Sequence, residues 1–476
     1  MTCLKKIIIQ NYRSIEYLEI IIPQSDSNTN CFGLVGINEA GKSSILKAIA
    51  LKDNINTIIV NPNDFRTESN PISVEYKYEL ENVTLELREI VGESISEKDV
   101  SKLKSFSALY SIEYGNINFV IEEFLFDRTK IDEATNTEII AKLNVYYKSK
   151  IHDTVFWAAD EKHLINKPIP LNTFLNNPQS VSIPLYNCFQ LASIRDIPTS
   201  ITKALSDPTE RDYLEDRLGI AVTKHVKETW KNELIEIKLK IYENLLHFLI
   251  KDLETSSKSK TVDQRSDGFK QFISFLLTVS AESKKGVLQN TILLIDEPET
   301  HLHPIAQGNL LDELTKISGS ELENISFFAT HSNYLISKNN LGNYFHITKK
   351  GDHTNIERFN LKQTNYAEVN YIVFDIVSTD FHDILYGKIL SEFDGKSYEL
   401  DAYIKENFKN KKNSEKDYIK QNSNGTTNKP TKVSLQTYIR HLIHHPENLN
   451  NNPFSEDELR YSIEVMIQAW SVLNKY

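Results

Sequence analysis

The sequence contains little cysteine, which argues against two classes of protein. Three cysteines, Cys3, Cys31 and Cys188, are scattered over 476 residues, and none forms a Cys-x-x-Cys pair. Disulfide frameworks and zinc sites need cysteines in recognisable pairs or clusters. We therefore expect three reduced thiols.

Long apolar runs and an excess of positive charge are also missing. The apolar residues 7–9 are too few for the core of a signal peptide, and no run is long enough to span a membrane. The 65 acidic and 54 basic residues give a net charge of −11, which argues against wholesale wrapping of DNA but permits a local basic patch. We expect a cytoplasmic protein without a membrane partner.

The N-terminal region alternates short apolar runs with polar turns. Residues 6–10, 18–22 and 32–35 predict strands, and the third strand leads through a glycine-bearing loop into a helix over residues 44–51. Period-two alternation over residues 72–91 predicts an antiparallel hairpin. These patterns predict an α/β fold with an antiparallel β lobe.

The middle of the chain has a helical pattern. Residues 209–254 are charged and contain no proline and a single glycine. Apolar side chains then recur every three or four positions: Leu234, Ile237, Ile241, Leu245 and Phe248. We expect a helical arm, better explained as a short helical hairpin than as a long coiled coil.

The C-terminal region predicts mostly helix. Residues 405–432 are rich in Lys and Asn and predict a solvated helix end followed by a flexible loop. Helical patterns cover residues 434–444 and 455–473, and Pro446 and Pro453 separate them.

Residues 36–43 match the phosphate-binding pattern G-x-x-x-x-G-K-[ST] at every fixed position, between a predicted strand and a predicted helix. The glycines let backbone N–H groups turn towards a phosphate, and the N-terminus of the helix adds positive potential. Lys42 would bind the β- and γ-phosphate oxygens, and the Ser43 hydroxyl would ligate Mg²⁺. The predicted nucleotide-binding residues here are Gly36, Asn38, Gly41, Lys42, Ser43 and Ser44.

Two further apolar runs end in polar side chains suited to ATP hydrolysis. Residues 291–295 predict a buried parallel strand, followed directly by Asp296 and Glu297. Asp296 would hold Mg²⁺ beside Ser43, and Glu297 would polarise the attacking water. The next run ends in His331, whose imidazole would contact the γ-phosphate or the water. Each of these side chains, taken alone, also fits a purely structural role.

Residues 265–268 read Arg-Ser-Asp-Gly and precede an apolar pattern with helical spacing. Ser266 and the free N–H groups of the first helical turn would form an anion site. An ordinary helix cap fits the same residues.

The order of these four elements resembles that of ABC-type ATPases of the OLD-like and SMC-like group. Residues 11–15 resemble the N-F-R-S element of that group, in which Arg13 approaches the nucleotide, and residues 294–304 resemble its Walker B motif and D-loop. The resemblance implies that Lys42, Glu297 and His331 are catalytic and that ATP and Mg²⁺ are bound. It also implies a homodimer or larger homo-oligomer, in which Ser266 and Gly268 of one subunit cover ATP held by another.

The sequence departs from this pattern in two places. The signature reads Ser-Asp-Gly-Phe over residues 266–269, where transporters have S-G-G-Q. A Q-loop glutamine is not evident, and Asp64 is a hypothetical substitute. The resemblance divides the chain into the N-terminal part of the ATPase head with its β lobe (1–200), a helical arm (201–260), the C-terminal part of the head (261–350) and a mixed-to-helical partner or effector region (351–476).

Full-length OLD nucleases carry a TOPRIM domain with a D-x-D motif, and no D-x-D follows His331 here. Asp380 and Asp383 are spaced as on one helix face. The resemblance is greatest to the AriA-type ATPases of PARIS anti-phage defence, whose partner AriB is a TOPRIM nuclease. It implies a sensor and scaffold ATPase that releases a separate effector nuclease when triggered by a phage protein or DNA. Septu-type and retron-associated ATPases have the same kind of head.

A competing interpretation comes from residues 438–446. Arg440 and His445 fit the pattern of HEPN ribonucleases, and His444 shares a helix face with Arg440. Such a pair would stabilise a scissile phosphate and move a proton. A basic helix end that binds a partner fits equally. A third possibility, a DNA-repair clamp, would need coiled coils longer than residues 209–254 allow.

Overall fold

The computed structural model describes residues 2–23, 29–54, 61–81, 103–113, 116–126, 133–229, 234–253, 258–281, 288–359, 365–408, 415–422 and 425–473. Contacts within the chain define two compact units, Met1–Asn360 and Leu361–Tyr476. We call them the head unit and the C-terminal unit. Among the described residues, no helix has the length and apolar character needed to cross a membrane.

The described strands of the head unit are, in chain order, β1 Thr2–Tyr12, β2 Ile15–Ile21, β3 Cys31–Val35, β4 Ile72–Leu80, β5 Leu103–Glu113, β6 Asn116–Phe126, β7 Asp153–Trp157, β8 Ile169–Pro170, β9 Ile235–Tyr242, β10 Leu245–Asp252, β11 Lys260–Thr261, β12 Thr291–Asp296, β13 Ile325–Thr330, β14 Tyr344–Lys350 and β15 His353–Arg358. Its described helices are α1 Lys42–Asn54, α2 Glu133–Lys148, α3 Leu171–Asn176, α4 Pro178–Val181, α5 Ile183–Leu191, α6 Ile197–Ser206, α7 Pro208–Thr229, α8 Asp267–Phe275 and α9 Pro304–Ile317.

A six-stranded mixed sheet carries the predicted phosphate-binding loop. Its order is β15-β14-β3-β13-β12-β7, and all neighbours are parallel except β15, which pairs antiparallel with β14 at one edge. Strands β3 and β13 are buried along their whole length, which explains their continuous apolar sequence. The carboxyl ends of the parallel strands therefore meet at one edge of the sheet, which is where ligands bind in such folds.

The β lobe is a five-stranded antiparallel sheet in the order β2-β1-β4-β5-β6. Side chains of this sheet, of α1 and of the six-stranded sheet share one hydrophobic core. Strand β4 forms the first half of the predicted hairpin over residues 72–91, and it pairs with β5. The predicted second half, residues 82–91, lies outside the described residues.

The predicted helical arm over residues 201–260 is wrong in its second half. Helix α7 is present, but β9 and β10 form an antiparallel hairpin where the helical pattern continued. The same residues also carry a period-two pattern, because alternate side chains of β9 are buried. Two side chains of α7 cover the outer edge of β9: the Thr223 hydroxyl accepts from Ile237 N at 2.9 Å, and the Glu215 carboxylate accepts from Ile241 N at 2.6 Å. Packing against α7 thus selects the strand.

The C-terminal unit is mostly helical, as expected. Its described elements are α10 Tyr366–Phe374, α11 Thr379–Ser391, α12 Ser397–Asn407, β16 Lys416–Tyr418, β17 Thr431–Val433, α13 Leu435–His444 and α14 Glu456–Leu473. Instead of being only a loop, residues 405–432 include β16, and β17 begins at Thr431. The predicted boundary at residue 350 falls in the β14–β15 turn, so the head unit extends to Asn360. Overall, the predicted α/β fold class with an antiparallel β lobe is confirmed.

Candidate active site of an ATPase

The loop of residues 36–43 joins the end of β3 to the start of α1. Its two glycines are required by close backbone approaches. A Cβ on Gly36 would lie 2.3 Å from the Ile347 carbonyl oxygen, and one on Gly41 would lie 2.3 Å from Thr354 Oγ1. Gly41 also has a φ of 106°, a region that L side chains rarely adopt. The phosphate-binding loop therefore packs directly against β14 and β15, which restrict its conformation.

Lys42 is held inside this loop. Its side chain is buried, and Nζ donates to the carbonyl oxygens of Gly36 and Ile37 at 2.9 Å each. Burial lowers its pKa, and the carboxylates of Asp296, Glu297 and Glu299 oppose that shift. Two main-chain oxygens of the loop thus hold the Lys42 ammonium at the loop.

Ser43 and Asp296 meet at the carboxyl edge of the sheet. Ser43 Oγ donates to Asp296 Oδ1 at 2.8 Å, although the two residues are 253 positions apart in the sequence. Burial raises the pKa of Asp296, and the Ser43 hydrogen bond opposes this. A hydroxyl and a carboxylate are hard oxygen donors that fit Mg²⁺. When bound, the ion would supply positive charge to the phosphates, and Ser43 and Asp296 would hold it.

Glu297 and His331 follow two neighbouring parallel strands. Glu297 has a φ of 47° and donates its N–H to the Ala329 carbonyl at 3.1 Å, so the residue directly after β12 is still hydrogen-bonded to β13. The His331 Nδ1 lies 3.7 Å from Glu297 Oε1. Both side chains are about half exposed, at 46% for His331 and 42% for Glu297, and so remain accessible to a ligand.

One cavity of about 410 Å³ brings most of the predicted residues together. Its lining includes the predicted residues Arg13, Asn38, Gly41, Lys42, Ser43, Ser44, Glu297 and His331. Four further lining residues were not predicted as site residues: Ser14, Glu39, Ala40 and Lys349. Lys349 lies on β14, in a segment without a motif, so only the sheet order could have placed it here.

Arg13 lines this cavity, and Asp64 holds its guanidinium group in place. Arg13 Nε donates to Asp64 Oδ1 at 2.7 Å, and the Arg13 N–H donates to the Asp64 carbonyl at 2.8 Å. Asp64 is buried and does not line the cavity. The hypothesis that Asp64 substitutes for a Q-loop glutamine is therefore replaced by a positioning role, because its carboxylate is engaged by Arg13.

Ser266 and Gly268 lie at a different cavity of the same chain, one of about 400 Å³ that includes Arg265, His301 and His303. Ser266 is exposed and caps α8 by accepting the N–H of Phe269 at 3.4 Å. A Cβ on Gly268 would lie 2.0 Å from the His301 carbonyl oxygen. The signature helix thus packs closely on the segment after β12, and Ser266 is not part of the lining around Lys42.

Two buried side chains near the Walker B segment were missed from the sequence. Glu299 accepts from Thr330 Oγ1 at 2.6 Å and from the His331 N–H at 3.1 Å. Gln271, on α8, donates to the carbonyl oxygens of Glu297 and Pro298 at 3.4 and 3.3 Å. In the sequence, only the closeness of Glu299 and Gln271 to the motifs could have indicated a role for them, because the hydrogen bonds of both side chains depend on tertiary packing.

The candidate ribonuclease residues have separate partners in the C-terminal unit. His444 Nε2 lies 2.7 Å from Asp383 Oδ1, and Arg440 Nε lies 3.7 Å from the same oxygen. His445 instead ends α13 and lies 3.3 Å from Glu447 Oε1. The structure therefore pairs Arg440 with His444 at Asp383, on α11, as the shared helix face predicted, and not with His445.

Comparison with known proteins identifies the family of this chain. Residues 3–336 match the model of the AAA ATPase domain. The Old nuclease of Escherichia phage P2 is 23% identical over 397 residues, which cover 74% of this chain and 60% of that protein. An uncharacterised protein of Methanocaldococcus jannaschii is 28% identical over 104 residues, which cover 21% of this chain and 27% of that protein. The chain thus spans less than two thirds of either relative.

Among solved structures, the Smc head domain of Pyrococcus furiosus, with an extended coiled coil and bound to the C-terminal domain of ScpA, aligns with a TM-score of 0.42 at 12% identity. The alignment covers 76% of this chain and 98% of that one. The SMC head domain of Thermotoga maritima aligns with a TM-score of 0.37 at 11% identity, over 75% and 100% of the two chains. Because the family match extends over more than half of the sequence, the chain belongs to the AAA ATPase domain family, and it is similar to the Old nuclease.

Proposed function

We propose that this ATPase works as a pair of heads that enclose ATP between them, and that it is the sensor and scaffold subunit of an anti-phage defence system with a separate effector nuclease. The observation that carries the pairing is the division of the motifs between two cavities. Lys42, Ser43 and Glu297 line one cavity, whereas Ser266 lines another. A two-fold pair would let the Ser266 of one head cover phosphates bound by its twin.

The roles within the composite site follow from the contacts. Lys42 would bind phosphate oxygens in place of the two loop carbonyls that it now contacts. Glu297, at the cavity wall, would accept a proton from the attacking water. The N-terminus of α8, capped by Ser266, would add hydrogen-bond donors and positive potential from the partner head. ATP would thus favour the closed pair, and its hydrolysis would open it.

A separate effector is proposed from the resemblance to the PARIS ATPases, whose partner is a TOPRIM nuclease. The related Old nuclease of phage P2 and the resemblance to PARIS ATPases suggest a nuclease of the TOPRIM class as that effector. The trigger would be a phage protein or DNA.

The pairing is tested by solution mass. A Glu297→Gln chain, which binds but does not hydrolyse ATP, should double in mass by light scattering when ATP and Mg²⁺ are added. Adding Ser266→Asp should prevent this, because Asp caps a helix as well as Ser does but repels the γ-phosphate. Ser378→Asp, the same exchange at the N-cap of α11, is the matched control. If the Ser266→Asp chain still doubles in mass, the composite site is wrong.

The defence role is tested by phage plating. Cells expressing this chain with a neighbouring TOPRIM-like gene should plate phage poorly, and Lys42→Ala should restore normal plaque numbers. Removing the neighbouring gene should also restore them. Protection by this chain alone would contradict a separate effector, and protection that survives Lys42→Ala would contradict a role for ATP.

A further inference from the structure

Glu299 is a buried carboxylate beside the active site. Its side chain is 3% exposed, and Oε1 accepts from both the hydroxyl of Thr330 and the N–H of His331. Its second oxygen, Oε2, has no hydrogen-bond partner in the part of the chain that the structure describes. Leaving a carboxylate buried with an unused oxygen is costly. A chain that needed only a structural link to Thr330 could use a neutral side chain instead.

The position of His331 suggests what the charge is for. Its Nδ1 lies 3.7 Å from Glu299 Oε1 and also 3.7 Å from Glu297 Oε1. The Nδ1 atom of His331 is therefore equally far from Glu297, which lines the cavity, and from Glu299, which is buried. With Nδ1 turned towards these two groups, Nε2 is left for the cavity, which His331 lines. The neighbouring strands β12 and β13 set this arrangement, because both motifs leave the same edge of the sheet.

We propose that Glu299 is a positioning residue for ATP hydrolysis, whose negative charge holds the His331 imidazole with Nδ1 towards the two carboxylates and Nε2 towards the cavity. His331 would then contact the attacking water or the γ-phosphate through Nε2. The inference rests on the proposed ATP hydrolysis at the cavity around Lys42, the contacts that carry it lie within one chain, and it does not depend on the defence role.

The charged groups around Glu299 are consistent with this role. Lys42, from α1, interacts favourably with Glu299, and His331, from the end of β13, lowers the pKa of the carboxyl. Burial has the larger effect and raises the pKa of Glu299. Glu297, from the end of β12, lies 3.7 Å from the same ring nitrogen, His331 Nδ1. The buried carboxyl group of Glu299 thus interacts with Lys42 on one element and with His331 on another.

The test compares Glu299→Gln with wild type in the full chain. Gln has the same shape and can still accept from Thr330 and from the His331 N–H, so a structural role predicts an unchanged kcat. The proposal predicts that kcat falls on the order of 100-fold, the loss expected when a catalytic side chain is misplaced by about 1 Å. The Kd of a fluorescent ATP analogue should change by less than about twofold, because no phosphate contact is lost. Glu313→Gln, which neutralises another buried carboxylate of the head unit, is the control.

A double-mutant cycle with His331→Ala separates this role from a general disturbance of the site. If Glu299 acts through His331, Glu299→Gln should not slow a His331→Ala chain further. The same cycle with Glu299→Ala serves if the Gln variant does not fold. An unchanged kcat in Glu299→Gln, additive losses in the cycle, or a loss of ATP affinity equal to the loss of kcat would each overturn the proposal. ATP-dependent pairing of the Glu297→Gln chain, measured separately, reports on the proposed function and not on Glu299.

Discussion

Mixing two inactive variants provides the sharpest test of a shared active site. Lys42→Ala removes the ammonium that the loop carbonyls hold, and Ser266→Asp places a negative charge at the N-terminus of α8. The two residues line different cavities of one chain. Each variant alone should therefore have no turnover if every site needs Lys42 from one head and Ser266 from the other.

The expected recovery follows from this geometry. A mixed pair has one site with both defects and one site with neither. Random pairing of equal amounts makes about one half of the pairs mixed. Because two-fold symmetry gives each pair two sites, and only one site of a mixed pair is intact, turnover should recover to about a quarter of wild type. Phosphate release is measured on each variant and on the equimolar mixture. Ser378→Asp replaces Ser266→Asp as a control, and on its own it should retain wild-type turnover.

The result that refutes the reasoning is specific. If both motifs acted within one chain, every chain in the mixture would carry one defect, and mixing would restore nothing. Such a result, obtained while the Glu297→Gln chain still doubles in mass with ATP, would show that heads pair without sharing their sites. The role of Ser266 as a phosphate contact in trans would then be wrong.

Three further predictions concern stability and the C-terminal unit. Gly268→Ala should lower the free energy of unfolding by about 1–3 kcal/mol in urea melts, because its Cβ would overlap the His301 carbonyl oxygen at 2.0 Å, and wild-type stability would contradict this packing. Burial lowers the pKa of His382 from 6.5 to about 3, so the unfolded chain binds its proton first as the pH falls below 6.5. Between pH 7.5 and 5 this should cost about 2 kcal/mol of stability, a loss absent from His382→Gln. Arg440→Ala/His445→Ala should leave ATP turnover unchanged, and loss of an RNA-cleaving activity of the purified chain would instead favour the ribonuclease interpretation.

The predicted nucleotide loop shows how far sequence reasoning reaches. Residues 36–43 form a contiguous motif whose glycines, lysine and serine act through their own backbone and neighbouring side chains, so spacing alone identifies them. The strand that ends at Asp296 and the strand that ends directly before His331 could also be predicted, because buried parallel strands are continuously apolar.

The errors arise where one pattern allows two structures. Apolar residues of β9 and β10 occur at helical intervals, but Ile235, Ile237, Leu239 and Ile241 also alternate, and the strand pattern fits their burial. Packing against α7 favours the strand, and that contact lies outside any local window. The spacing of the ribonuclease pattern predicts His445 as the partner of Arg440, whereas Asp383 on another helix lies beside both Arg440 and His444.

The sequence by itself determined the α/β class, the phosphate loop and the order of the ATPase motifs, because each depends on residues close together in the chain. Only the tertiary structure decided which motifs share a cavity. Sheet order brings Ser43 to Asp296 across 253 positions, and it leaves Ser266 at a separate cavity. It also brings Glu299 against the end of β13, since adjacent parallel strands end at the same edge of the sheet.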